Sequence, residues 1–145
     1  MGGQGPATAG WRHFEHGADI GIEGYGRTAA EAFEQAALAL TAVICDPRRV
    51  RARSCVDLAC EAPDLEYLLV DWLNALIYEM ATRRMLFSRF EVTIGKRGLR
   101  ARACGEPLDP ARHRPAVEVK GATLTGLAVR QEAEGHWVAR CVVDV

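Results

Sequence analysis

The stretch "FEHGADIGIEGYG", residues 14–26, holds Glu15, His16 and Asp19 within five positions of one another. An apolar alternation and a group of glycines follow at once. At the other end, "VVDV" places a second acid, Asp144, in an otherwise hydrophobic segment. Two carboxylates carried by different strands, with a backbone carbonyl, make a hard oxygen site suited to Ca²⁺ or Mg²⁺. An Asp flanked by Ala18 and Ile20 on a strand is also what an ordinary solvated face looks like, and spacing does not say whether Asp19 and Asp144 meet. The oxygen-rich neighbourhood argues against zinc at His16. The role read for His16 is a hydrogen bond that orients Asp19 or the adjacent turn. His13, His113 and His136 read as surface residues.

Other chemistries find less support. "GIEGYGRT" sits between a strand and a helix, where phosphate loops sit, but it lacks the G-K-[ST] ending and does not match G-x-G-x-x-G. Its glycines read instead as a tight turn adopting positive φ. No G-x-S-x-G elbow occurs, and Ser54 and Ser88 lie in plain settings. The cysteines, at 45, 55, 60, 104 and 141, are odd in number and form no C-x-x-C pair, so neither a zinc ribbon nor a thioredoxin motif is present. They read as free thiols in a reducing cytosol. Cys141 shares its alternation phase with Trp137, Ala139 and Val143, which suits a small buried hydrophobe. Arginines cluster at 48–53, 96–102 and 112–114; Arg51 and Arg53 share one strand face and Arg100 and Arg102 another. Such rows read as solvated faces, with docking to an anionic partner as the alternative.

The elements that must position these residues fit one domain of 145 residues with 49% hydrophobic and 26% charged residues. A net charge of −1 disfavours a dedicated nucleic-acid binder. Residues 1–10 read as a loose tail without a signal-peptide core, and no apolar run nears the ~20 residues a bilayer requires. A soluble, cytoplasmic protein is expected. Residues 11–26 read as extended, with Ala18, Ile20 and Ile22 on one face, Asp19, Gly21 and Glu23 on the other, and Gly24 and Gly26 ending the run. Thr28 and Glu31 form a capping box that starts a helix, with Ala32, Phe33, Ala36, Ala37, Leu40 and Ile44 as its buried stripe. Asp46-Pro47 stops it. Residues 50–60 alternate as a strand, with Val50, Ala52, Val56 and Leu58 on one side. A second helix is predicted over 63–84, carrying Leu65, Leu68, Leu69, Trp72, Leu73, Leu76 and Met80. Strands follow at 90–94, 99–106, 116–120, 123–131 and 136–144, with hairpin turns at 95–98 and Gly135. The pattern predicts an α+β domain in which two helices pack on a mostly antiparallel sheet.

With these residues in view, the chain resembles the archease family over residues 11–145. "FEHGADIGIEGYGRTAAEAFEQAALAL" is similar to the family's Y-E-H-T-A-D-I-G opening and the helix after it. "LLVDWLNALIYEMATRRMLFSRFEV" is similar to the second helix and its exit. "CGEPLDPARHRPAVEVKGATLTGL" resembles the G-E…H…E-V-K-A segment, and "WVARCVVDV" the terminal strand. Two departures stand out: Gly17 replaces the family's Thr, a change expected to loosen the backbone, and Leu124 and Thr125 replace a Tyr–His pair.

The resemblance implies a small domain of the strand–helix–strand–strand type. It also implies an accessory role without catalytic turnover: activation of an RtcB-type RNA-splicing ligase, promoting its guanylylation and repeated turnover, with RNA met only through that ligase. It places metal ligands on Asp19, Asp144 and the backbone carbonyl of Val145, and an important lysine on Lys120. Ca²⁺ is the expected ion, with Mg²⁺ or Mn²⁺ as alternatives. An α-carboxylate beside Val145 would lie close to the ion, so a C-terminal tag is expected to disturb the site. Two rival readings use the same residues: a metal-dependent phosphoesterase built on Asp19 and Asp144, and a chaperone-like interaction module whose metal is structural.

Overall fold

The computed structural model describes residues 9–145. Of the expected tail at 1–10, residues 1–8 lie outside them, and the strand β1 already begins at Gly10, which pairs with Tyr25. The elements run β1 Gly10–His16, β2 Asp19–Gly26, α1 Ala29–Ile44, β3 Ser54–Cys60, α2 Leu65–Arg83, β4 Met85–Gly95, β5 Gly98–Pro107, α3 Pro110–His113, β6 Gly121–Ala122, β7 Ala128–Ala133 and β8 His136–Asp144. A 3₁₀ turn at Pro47–Arg49 follows α1. One antiparallel sheet has the order β1-β2-β8-β6, with β7 sharing the β6 side of β8; a second has the order β3-β5-β4. The α+β architecture follows from these elements.

The helices start where local chemistry says they should. Thr28 Oγ1 accepts the Glu31 N–H at 3.0 Å, and Glu31 Oε1 accepts the Arg27 N–H at 2.7 Å. Asp64 caps α2 by accepting the Tyr67 N–H. The predicted stripe of α1 is buried throughout, and Leu68, Leu69, Trp72, Leu73 and Leu76 of α2 join the same core. Trp72 meets Phe90 edge-to-face at 6.1 Å and donates its indole N–H to the Phe33 carbonyl, so the largest core side chain leaves no buried polar atom unpaired. Thr41 ties α1 to β4 by donating to the Phe87 carbonyl, and the half-buried Glu34 accepts the Val92 N–H of edge strand β4.

Several expectations need correction. Residues 10–26 are not one extended run but a hairpin. Gly17 and Ala18 form its two-residue turn, with Gly17 at φ +59°. That is the pattern of a type II′ turn, which places glycine first, so Gly17 matches the required conformation instead of loosening it. Gly24 lies inside β2 and is there for space: a Cβ on it would stand 2.2 Å from the backbone N of Ala36 in α1. Gly24 and Gly26 thus answer to contact with α1 and Gly21 to the Phe14 ring of β1, and none of the three adopts positive φ.

The predicted strand at 50–60 begins only at Ser54. Before it, the Arg51 and Arg53 N–H groups go to the Glu106 carboxylate and the Gly105 carbonyl, so these arginines do not share a strand face, and Ala52 is exposed. Residues 116–120 alternate like a strand but pair with none; their backbone bonds to Ile44 and Asp144. The predicted strand at 123–131 breaks at a turn with Gly126 at φ +64°, which returns the chain to β8 as β7. Two cysteines are not free: Cys55 and Cys104 face each other across β3 and β5 and form a disulfide, a pairing that a sequence separation of 49 does not advertise. The hairpins at 95–98 and at Gly135 stand as predicted.

Candidate metal centre

The hairpin register sets His16 opposite Asp19. In the next strand pair Ile20 faces Val143, and one further step along the same antiparallel register sets Asp19 across from Asp144. On the far side, Gly121 pairs with Asp144. One row therefore crosses the end of the five-stranded sheet: His16, Asp19, Asp144, Gly121. Directly opposed residues project from the same face with Cβ atoms about 5 Å apart, within reach of one cation. Strand alternation turns Ile20 and Ile22 the other way, towards α1, and Ile22 is fully buried. The acids thus sit on the outer face while their neighbours anchor the strand.

The row is open to solvent. Asp19 is half-buried, Asp144 and His16 are exposed, and Val145 packs partly against the core. Among the described residues neither acid forms an ion pair, and His16 makes no side-chain hydrogen bond, so the orienting bond read from the sequence is not present. No three His, Cys, Asp or Glu side chains of the described residues converge as a ready-made cage. Two opposed carboxylates repel unless a cation lies between them. With two carboxylates and a backbone carbonyl against the single imidazole of His16, the residues fit a hard divalent ion completed by water better than they fit zinc.

Lys120 reaches this row through its backbone: its N–H donates to the Asp144 carbonyl at 2.8 Å. Its exposed side chain lines a cleft of about 880 Å³ with Met80, Met85, Leu108 and Val117. Two further anchors hold this segment, and the sequence reading missed both. Asn74 of α2 accepts the Ala122 N–H at 2.9 Å. Glu106, only 3% exposed, takes Arg112 at 2.8 Å, His113 at 2.9 Å and the Arg51 N–H at 2.8 Å. The Arg112 side chain, with help from Arg51 and His113, holds the Glu106 carboxyl well below the usual carboxylate range, against the opposing effect of burial. His113 is therefore no surface residue: it is 2% exposed, and its Nδ1 accepts the Asp109 N–H, leaving Nε2 to donate to Glu106. The G-E…H spacing was the available signal. Leu124, 58% exposed, sits on the bend after β6, where Thr125 donates to Thr123 Oγ1.

The environment of the free cysteines disfavours their thiolates. Burial pushes the Cys141 thiol up to about 11 and raises Cys45 and Cys60 as well. On the three-stranded sheet Arg102 lies between Asp57 and Glu91 and bonds Asp57 at 3.2 Å, an internally balanced solvated face. Among the described residues no helix is long and apolar enough to cross a membrane.

Fold and site define a class: a small helix-bearing antiparallel α+β domain with an acidic pair closing one end of a sheet. Residues 11–145 match the Archease protein family, and the chain belongs to that family. It is 42% identical over 139 residues to the protein archease of Pyrococcus furiosus, covering 93% of this chain and 98% of that one. It is 37% identical over 140 residues to the protein archease of Methanosarcina acetivorans, covering 93% and 95%. The solution structure of Methanobacterium thermoautotrophicum protein 1598 matches with a TM-score of 0.80 at 33% identity, over 94% of this chain and 99% of that one.

Proposed function

We propose that this protein is a metal-binding accessory factor of an RtcB-type RNA-splicing ligase in the cytoplasm. It promotes the ligase's GTP-dependent guanylylation and repeated turnover, and has no catalytic turnover of its own. The observation that supports the reading is the register that sets Asp19 beside Asp144, with the Lys120 backbone bonded to Asp144, in a chain of the archease family. Asp19, Asp144 and the Val145 carbonyl would hold a divalent ion, Ca²⁺ in the first instance. When bound, such an ion supplies fixed positive charge that templates or stabilises anionic groups. The chain's own contribution is placement. The β2–β8 ladder holds the two carboxylates on one outward face, and the Glu106 and Asn74 anchors hold the backbone of residues 107–122 so that the Lys120 backbone stands beside them, its side chain in the adjoining cleft. RNA is met through the ligase.

The test is multiple-turnover RNA joining by the cognate ligase with GTP and divalent metal: without this protein, with it, and with Asp19→Ala, alongside calorimetric Ca²⁺ titration of both proteins. Acceleration by wild type alone, with Ca²⁺ binding lost in a folded variant, is expected. Unchanged ligase turnover with wild type would sink the accessory role. Loss of folding in Asp19→Ala would favour a structural metal in an interaction module, and hydrolysis of model phosphoesters by the purified protein would favour an enzyme.

A further inference from the structure

We propose that a second site on the outer face of the five-stranded sheet binds a phosphoryl group, in a basin of about 430 Å³ lined by Arg12, Arg130, Arg140 and His136 with Glu23 and Glu132. The sheet builds this basin by register: Arg12, Glu23 and Arg140 stand in one cross-strand row, and Arg130 faces Val138 one row further on. The charges do not cancel. Glu23 is committed to Arg12, at 2.6 and 3.4 Å, and Glu132 to Arg130 at 3.1 Å. Arg140 approaches Glu23 only at 3.8 Å and is held instead by stacking on the Phe14 ring, 4.3 Å from its centroid. Three guanidinium groups thus face two carboxylates, and the surplus charge resides on Arg140.

The polar network is also incomplete on the protein's side. Among the described residues, Arg140 Nε and His136 Nδ1 are closed off from solvent without a hydrogen-bond partner, while His136 Nε2 lies 3.5 Å from Glu132, so the protein's own groups leave this network unsatisfied. Guanidinium forks joined by an imidazole match the several oxygens of a phosphoryl group, which accepts from more than one donor at once. The site is independent of the metal row: Arg140 and Asp144 are four residues apart on β8, about 13 Å at ~3.3 Å per residue.

The experiment is an NMR titration of the full chain with inorganic phosphate, a nucleoside monophosphate, and a short RNA ending in either a 3′-phosphate or a 3′-hydroxyl. Saturable shifts centred on Tyr25, His136 and Arg140 are expected, weakened about tenfold or more in Arg130→Gln and Arg140→Gln. Arg102→Gln on the other sheet should leave them unchanged. If losing the Phe14 stack unfolds Arg140→Gln, the 52%-exposed Arg130 side chain still carries the test. Tighter binding of the mononucleotide than of phosphate identifies a nucleotide as the source; preference for the 3′-phosphate RNA over its 3′-hydroxyl twin identifies an RNA end. Absence of saturation with every probe, or equal affinity in both arginine variants, overturns the proposal.

Discussion

Asp19 and Asp144 carry like charges on directly opposed positions, and their repulsion is a small standing cost. Replacing either by Asn should therefore leave the metal-free protein at least as stable as wild type. On the reading proposed above, the same change abolishes stabilisation by Ca²⁺. At a hundredfold excess over its Kd an ion bound only to the folded state adds about 2.7 kcal/mol, which a calcium series of thermal melts would register for wild type and not for Asp19→Asn. Glu106 acts in the opposite sense. Its carboxyl titrates lower in the folded than in the unfolded chain. Its stabilisation is thus fully present above the unfolded value of about 4.3 and is lost as pH falls through the folded one. Urea midpoints measured from neutral pH downward should fall steeply for wild type below about pH 4.3. For Glu106→Gln they should start lower and fall less.

Between helix and sheet, the decisive contact is made by an absent side chain. Gly24 lets α1 rest its backbone on β2, with Ala36 N, Ala32 O and Gln35 C all inside 3 Å of where a Cβ would stand. Backbone atoms cannot yield as a flexible side chain can, so Gly24→Ala should destabilise by about 3 kcal/mol. Gly95 has nothing within 4 Å of its Cβ position, and Gly95→Ala should stay within about 0.5 kcal/mol of wild type. Equal urea midpoints for the two variants would refute this account of the glycine-rich segment. The hairpin matters for the same contact. Because side chains alternate with period two, a one-residue slip in the β1–β2 turn would carry Asp19 to the α1 face.

Across the full domain, β8 is the organising strand. It pairs with β2 near the start of the described chain and with β6 and β7 just before it in sequence, so the acidic row exists only when distant segments have met. Such long-range pairing is slow to form compared with local contacts. The second sheet closes through Cys55 and Cys104. Thiol titration of the denatured, unreduced protein should accordingly find three reactive cysteines, Cys45, Cys60 and Cys141, and five after reduction. Five before reduction would show that the bridge does not form.

Capping residues, helical stripes and tight-turn glycines act within a few positions, which is why α1, α2, β8 and the 95–98 hairpin were legible from the order of residues. Asp19 and Asp144 were legible as acids in apolar strands, and the family resemblance named them together with Val145 and Lys120. Their adjacency was not legible, because it depends on strand order and register, and these are settled by which hydrophobic faces bury together. The same holds for His113 and Glu106. A histidine and an acid seven positions apart look like two solvated side chains until α3 folds back and removes both from water. Residues 116–120 show the converse: an alternating pattern is a request for a partner strand, and here the tertiary fold supplies backbone acceptors from Ile44 and Asp144 in its place. Local chemistry thus chose the elements, while long-range burial chose which of their residues became neighbours.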